Sequence, residues 1–417
     1  MQPNDVGDWL NQRSTSFADY INTEPKDNFN NKNHSFFNLI AIGVSTNRDA
    51  WVCNYSFENL KNNIGFLCKS YNKERVNYVN GKQLTEDKKL ISWTVNLKKD
   101  AVNNKEHRID IDNIDKYSYR PFVKQLIYYD RAFVERPGKW NKLYPVLGKN
   151  NLVICVSGVG SSKDFSVLIS DKLVSLDYNE KTQCFPLYWY EEKTEEVMAN
   201  IFATVDEPKE KEYIRHDGVT DYILHEAREK YRTNAITKED IFYYVYGFLH
   251  SEEYRKQFAA DLKKMLPRLP LVENAVDFKA FSEAGRKLAD LHLNYEKRPK
   301  PEQVIVERKA DDYIVEKMKF KSKQDKSVII YNNHITIKNI PLEAYDYVVN
   351  GRSAIEWIME RYQVKIDKAS QIKNDPNDWA KEHNDPTYIL DLLLSVITVS
   401  LETMKILKGL PKVEFDK

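Results

Sequence analysis

Leu152-Val153-Ile154-Cys155-Val156-Ser157-Gly158-Val159-Gly160-Ser161-Ser162-Lys163-Asp164-Phe165-Ser166-Val167-Leu168-Ile169 decides how the first half of the chain folds. Residues 152–156 and 165–169 are short apolar runs rich in β-branched side chains. The polar, glycine-bearing stretch 157–164 separates them, so the segment predicts two strands joined by a loop. That loop superficially resembles a phosphate cradle. A P-loop, however, needs G-x-x-x-x-G-K-[ST], with Gly directly before the Lys and a Mg²⁺-binding hydroxyl after it. Here Ser162 precedes Lys163 and Asp164 follows. The dinucleotide fingerprint fails as well, because Lys163 stands where the third glycine belongs. A polar loop with one basic residue is what remains.

Working outward, residues 36–44 and 50–55 read as strands flanking the polar turn Ser45-Thr46-Asn47-Arg48-Asp49, and 184–189 as another. Leu60, Ile64, Leu67 and Tyr71 have helical spacing and predict a helix over 57–78. The charged stretch 191–211, with Asp206-Glu207-Pro208-Lys209, reads as a boundary. Helices are expected beyond it: 238–250 capped by Thr237, 252–266 capped by Ser251 and ended by Pro267, and 278–295. A Lys/Pro/Glu-rich linker, 296–303, leads to small strands at 313–320, 327–331 and 334–338, with Asn332-Asn333 as a hairpin turn. Pro341 should start a helix ending at an Asn350-Gly351 cap. Ser353-Ala354-Ile355-Glu356 is a capping box, and Asp385-Pro386 should start the closing apolar helix. The expected class is α+β: an N-terminal mixed α/β lobe with short strands (1–205), a helical region (206–300), and a helical C-terminal region with a small β insert (301–417).

Composition excludes several classes. The 417 residues include 42% apolar side chains, enough for a sizeable core, and 63 Lys+Arg against 62 Asp+Glu leave a net charge of +1. No polybasic protein is therefore in view; the balance does not exclude local basic faces. Met1-Gln2-Pro3-Asn4-Asp5 opens no apolar signal segment, and the apolar run 388–401 is shorter than a membrane span and carries Asp391. Cys53, Cys68, Cys155 and Cys184 are scattered, without a C-x-x-C pair, so a reduced intracellular protein without structural metal is expected.

Catalytic motifs fail one after another. Asp385-Pro386-Thr387-Tyr388 approximates the Asp-Pro-Pro-Tyr of adenine-N6 methyltransferases, but its third residue differs and no F-x-G-x-G lies upstream. Glu307-Arg308-Lys309 has nuclease E-x-K spacing without a preceding Pro-Asp, and Glu207-Pro208-Lys209 repeats that spacing by chance. His216, His225 and His250 lack ligand spacing, and no G-x-S-x-G elbow occurs. This chain is expected to bind no cofactor and to carry no catalytic site.

Basic and aromatic residues do interleave at Tyr117-Ser118-Tyr119-Arg120-Pro121-Phe122-Val123-Lys124-Gln125-Leu126-Ile127-Tyr128-Tyr129-Asp130-Arg131. Arg and Lys take phosphates or guanine edges, and Gln reads adenine. Candidate DNA-binding residues are Asn47, Arg48, Arg120, Lys124, Gln125 and Arg131, joined by Ser161, Ser162 and Lys163 of the loop. Lys163 suits phosphate; Arg48 and Lys124 suit sequence discrimination, unless Arg48 braces Asp49 instead. The same pattern also fits core tyrosines beside surface arginines.

Tyr119-Arg120-Pro121-Phe122 followed by Tyr128-Tyr129 resembles the Y-R-P-F-D-x-R-x-x-Y-Y signature that follows the catalytic domain of large adenine methyltransferases. With Thr46-Asn47-Arg48-Asp49-Ala50-Trp51, residues 240–251, residues 340–345 and 350–357, nearly the whole chain is similar to the C-terminal specificity region of type ISP restriction–modification enzymes. Val123 and Gln125 depart from the signature, where Asp and often Arg stand. The resemblance implies a DNA target-recognition domain in the prokaryotic cytoplasm, serving phage defence. Its partners would be double-stranded DNA and the upstream methyltransferase and coupling domains, with S-adenosylmethionine, ATP and Mg bound upstream. The competing expectation is a structural or coupling module that reads no sequence.

Overall fold

In the computed structural model, which describes residues 8, 12–25, 34–145, 150–193 and 212–415, the 152–169 segment is the expected hairpin. Val153–Val156 pairs antiparallel with Val167–Ser170, Val153 opposite Ser170 and Val156 opposite Val167. Gln183–Pro186 pairs on its other side, and Ala41–Ile42 completes a four-stranded sheet. Both faces are covered, which is why these strands read as continuous apolar runs rather than alternating ones. The alternation is nevertheless there in space. Val153, Cys155, Leu168 and Cys184 point into one hydrophobic core, while Ile154, Val156, Val167, Ile169 and Phe185 point into another.

The sheet is thus a partition between two cores, and neither core is one stretch of sequence. The first joins helix Phe57–Val79 and a second four-stranded sheet to Ala354–Arg361 and the apolar helix Tyr388–Lys408. The second gathers Asp221–Tyr231, Lys238–Phe248 and Ala275–Leu293 with Phe17, Phe36 and Phe37. The hydrophobic cores therefore cut across the 1–205, 206–300 and 301–417 divisions. Of the charged stretch 191–211, residues 194–211 lie outside the described residues; its flanks, Tyr188–Glu192 and Tyr213–Asp217, pair as antiparallel strands. Segment 296–303 is strapped down rather than free: Arg298 N donates to Ser395 Oγ (2.7 Å), and Glu296 accepts from Lys124 and Tyr388.

Local chemistry explains the agreements and the departures. The Ser353–Glu356 capping box forms, and Thr237, expected as an N-cap, makes a second box with Asp240. In the region expected as strand 50–55, Asp49–Val52 is a helical turn, followed by strand Cys53–Asn54. Thr46 Oγ1 accepts from Arg48 N and also bonds Asp49, which nucleates the turn. The 252–266 helix is divided at Phe258, whose ring is buried against Phe17 and Tyr254. The expected 341–350 helix is replaced by a 3₁₀ turn, Leu342–Tyr345, and a β-hairpin, Val348–Val349 with Arg352–Ser353. Asn350 and Gly351 both have positive φ, which closes a two-residue hairpin, and the paired valines favour strand. In the β insert, Ile305–Arg308 supplies the outer strand, and of 313–320 only Lys319–Phe320 is strand. The closing helix begins after Thr387 rather than at Pro386. No helix among the described residues is long and apolar enough to cross a membrane.

Two helices of the second core touch backbone to backbone. A Cβ on Gly285 would stand 1.9 Å from Tyr243 O, and one on Gly247 would stand 2.1 Å from Phe281 O. Gly65, in the long first helix, has open space around its Cβ position. Gly285→Ala and Gly247→Ala should each lose about 2–3 kcal/mol or more of stability through overpacking. Gly65→Ala should gain about 0.5–1 kcal/mol from helix propensity. Urea unfolding of the three variants checks this, and the opposite ordering would refute the packing account.

Candidate nucleic-acid interface

The polar turn after residue 43 is held by backbone contacts. Val44 N donates to Val174 O (2.7 Å) and Leu176 N to Val44 O (2.8 Å), while Ser45 and Arg136 exchange both backbone bonds. A Cβ on Gly43 would meet Ser175 O at 2.5 Å, so this approach requires glycine. The next loop is fastened to the same rim. Gly158 N donates to Glu180 O (3.0 Å), and a Cβ there would stand 2.0 Å from Lys181 O. Turn 45–49, loop 175–181 and loop 157–163 consequently form one continuous edge. Below it opens a cleft of about 660 Å³ whose lining includes Asn47, Asp49, Trp93, Lys98, Asp177 and Ser370.

Some sequence-selected residues lie on this edge and others do not. Asn47 is exposed at the cleft in a left-handed conformation (φ 53°), with its Oδ1 accepting from Ser45 Oγ. Arg48 is only 4% exposed, and its Nη2 donates to Thr94 Oγ1 at 2.6 Å. Burial pushes its pKa down to about 10, partly offset by Glu135. Arg48 is a brace beneath the turn, lining the cleft while almost fully buried. Its partner is Thr94, which differs from the Asp49 contact weighed above.

Arg120 is also largely buried. Its guanidinium lies 4.0 Å over the Tyr119 ring, donates to Ser175 Oγ (3.1 Å), and pairs with Asp177 (3.3 Å) at the cleft edge. Lys124 is bonded to Glu296 at 2.7 Å over the Tyr295 ring, and Gln125 is buried. Arg131 is exposed in a separate turn. In the 157–163 loop, Ser161 Oγ donates to Gly158 O, and the Glu180 carboxylate accepts from Ser162 N, Ser162 Oγ and Lys163 N. Those bonds outweigh desolvation and hold the Glu180 pKa below the usual carboxylate range. The Lys163 side chain is left exposed, running alongside Gly351.

That contact brings in residues which the sequence reading did not select. Arg352 Nε (2.7 Å) and Arg361 Nη2 (3.2 Å) share the Glu360 carboxylate, and both guanidiniums lie near the Trp357 ring. Lys365 stands beside them, exposed. Its pKa is lowered by partial burial and by Arg361, Arg120 and Arg352, against the opposing pull of Glu360. Cations from segments far apart in sequence therefore crowd one edge. Arg352 lies inside the recognised 350–357 motif; its helical reading hid the hairpin that presents it.

The sequence matches the family model described as Type ISP C-terminal specificity domain over residues 35–392. A search of curated proteins returned no match. Among solved structures, the chain is similar to a nuclease-deletion mutant of the Type ISP restriction-modification enzyme LlaGI in complex with a DNA substrate mimic. The identity is 38% and the TM-score 0.84, over 100% of this chain and 36% of that one. It is likewise similar to the ATP-dependent Type ISP restriction-modification enzyme LlaBIII bound to DNA (36% identity, TM-score 0.86, 99% of this chain, 25% of that one). A DrdV–DNA complex gives 28% identity and a TM-score of 0.82, over 100% and 40%. The chain spans well under half of each of these proteins.

The brace assignment is testable without DNA. Arg48→Ala should cost about 2 kcal/mol of stability, from a lost charge-assisted bond and lost packing. Asn47→Gly, which suits the positive φ, should change stability by less than about 0.5 kcal/mol. Chemical denaturation of both variants decides; an unchanged midpoint for Arg48→Ala would contradict a bracing role.

Proposed function

This chain belongs to the Type ISP C-terminal specificity domain family, and on that premise we propose that it is the sequence-specific DNA target-recognition part of a type ISP restriction–modification enzyme. It selects the site at which upstream domains methylate adenine N6 or restrict foreign DNA, in the prokaryotic cytoplasm and in defence against phage. The observation that carries this reading is the rim itself: Lys163 beside the Gly351 turn, then Arg352, Arg361 and Lys365, with Asp367, Ala369 and Ser370 just beyond Lys365 lining an open polar cleft. Similarity along the whole of this chain to part of LlaBIII bound to DNA, and to part of LlaGI in complex with a DNA substrate mimic, supports it.

Phosphate neutralisation by such a rim supplies affinity and orientation, and polar groups at the cleft edge supply discrimination. Clamping the duplex here would position one adenine for extrusion into the methyltransferase. In this reading S-adenosylmethionine, ATP and Mg belong to the upstream domains. The chain by itself then transfers no methyl group and hydrolyses neither ATP nor DNA.

Duplex binding by the isolated chain, titrated against salt, tests the proposal. With roughly four phosphates neutralised, log K should fall against log salt with a slope of about −3 to −4. Binding should also be tighter to duplexes containing a selected site. A slope near zero would favour the purely structural, coupling role. Methyl transfer from S-adenosylmethionine by the isolated chain would overturn the division of labour.

A further inference from the structure

Residues 365–374, Lys365-Ile366-Asp367-Lys368-Ala369-Ser370-Gln371-Ile372-Lys373-Asn374, form a short β-hairpin in a region where the sequence analysis expects no strand. Lys365 pairs with Asn374 and Ile366 with Lys373. The tip is stiff. Asp367 N donates to Ile372 O (2.9 Å) and Gln371 N to Asp367 O (2.8 Å). Asp367 Oδ1 accepts from Ala369 N, Ser370 N and Ser370 Oγ at 2.8–3.1 Å. At the base, Asn374 Oδ1 accepts from Tyr55 N (3.2 Å), and Val364 N donates to Glu316 O (3.0 Å). The hairpin is therefore anchored to both the first core and the β insert.

Its outer surface is basic. Lys365, Lys368 and Lys373 against the single Asp367 give these residues a net charge of +2, whereas the whole protein carries +1. Ile366 is 59% exposed between them. Lys373 is paired with Asp375 (2.8 Å), which leaves Lys365 and Lys368 as the cations best placed for a partner. Gln371 is exposed at the tip with φ 62°, and its Nε2 donates to Lys368 O (2.7 Å). That bond fixes the amide and leaves Oε1 and one N–H for a base edge. On its inner side the tip supplies Asp367, Ala369 and Ser370 to the cleft, together with Asn47 and Asp177.

We propose that this hairpin is the element that enters the DNA groove, with Lys365 and Lys368 on flanking phosphates and the Gln371 amide reading an adenine edge. The assignment rests on the target-recognition reading above and goes beyond it by naming the reading element. A two-stranded ribbon fits the major groove, and a glutamine amide matches the adenine N6/N7 pair. A stiff, anchored tip loses little entropy on docking. It also moves discrimination away from Arg48 and Lys124, whose side chains are engaged inside the protein.

The test uses the full chain and a pool of duplexes with a randomised central segment, sequenced after selection, beside salt titrations on one arbitrary duplex. Lys365→Ala with Lys368→Ala should weaken binding to every duplex about tenfold near 0.1 M salt and reduce the salt slope by about two. Gln371→Gly suits the left-handed backbone, so the fold should persist, as an unchanged thermal midpoint would verify. That variant should hold affinity for the unselected pool within about twofold while losing roughly fivefold or more of the discrimination at one A·T pair. If the parent binds selectively and the hairpin variants bind and select as it does, the hairpin assignment falls and the recognition role stands. Parent binding without any sequence preference also contradicts the hairpin as a reader. No salt-dependent duplex binding by the parent would overturn the recognition role itself, and the hairpin assignment with it.

Discussion

Everything in this chain hangs on the pairing of Val153–Val156 with its neighbours. The strand is buried on both faces, and its alternating side chains are shared between two hydrophobic cores. Each buried Val or Ile contributes about 1.5–3 kcal/mol, so the strand stabilises both cores at once. A register slip of one residue would exchange every side chain between cores of different shape, which strongly specifies the pairing. The loops that carry the candidate interface, 43–49, 157–163 and 175–181, all leave this sheet or lean on it. Their positions follow from a register set some distance away from any ligand.

The same logic gives the Tyr119-Arg120-Pro121-Phe122 motif an architectural part. Tyr119-Arg120-Pro121-Phe122 is a tight turn in which Phe122 takes a positive φ (59°). Its ring packs edge-on to Tyr295, His292 and Tyr347. The turn therefore pins the second sheet to segments much later in the chain. Arg120 is held between Tyr119, Ser175 and Asp177. Within this signature, packing and internal ion pairs account for the residues described, and the exposed cations lie elsewhere.

How much was legible follows from how local each determinant is. The long first helix runs over Phe57–Val79 against an expected 57–78, because its apolar spacing and Ser56 cap are contained in the segment. The caps at Thr237 and Ser353 are equally local. Asn350-Gly351 was ambiguous in principle, since a helix cap and a two-residue hairpin turn want the same left-handed residues. Arg48 looked like a surface cation because its turn is polar; only Thr94, distant in sequence, makes it internal. The 365–374 hairpin had no apolar alternation to betray it, with two residues in each strand and a tip organised by one aspartate. A near-zero net charge likewise concealed a rim on which Arg352, Arg361, Lys163 and Lys365 meet through folding alone.

The central claim is that loops from the first half and hairpins from the last third form one surface for duplex DNA. Amide hydrogen exchange of the chain with and without a duplex measures this directly. The account predicts joint slowing of exchange at 45–49, 175–181, 350–352 and 365–373. Slowing confined to the helices Asp221–Tyr231, Lys238–Phe248 and Ala275–Leu293, with those loops unchanged, would contradict it.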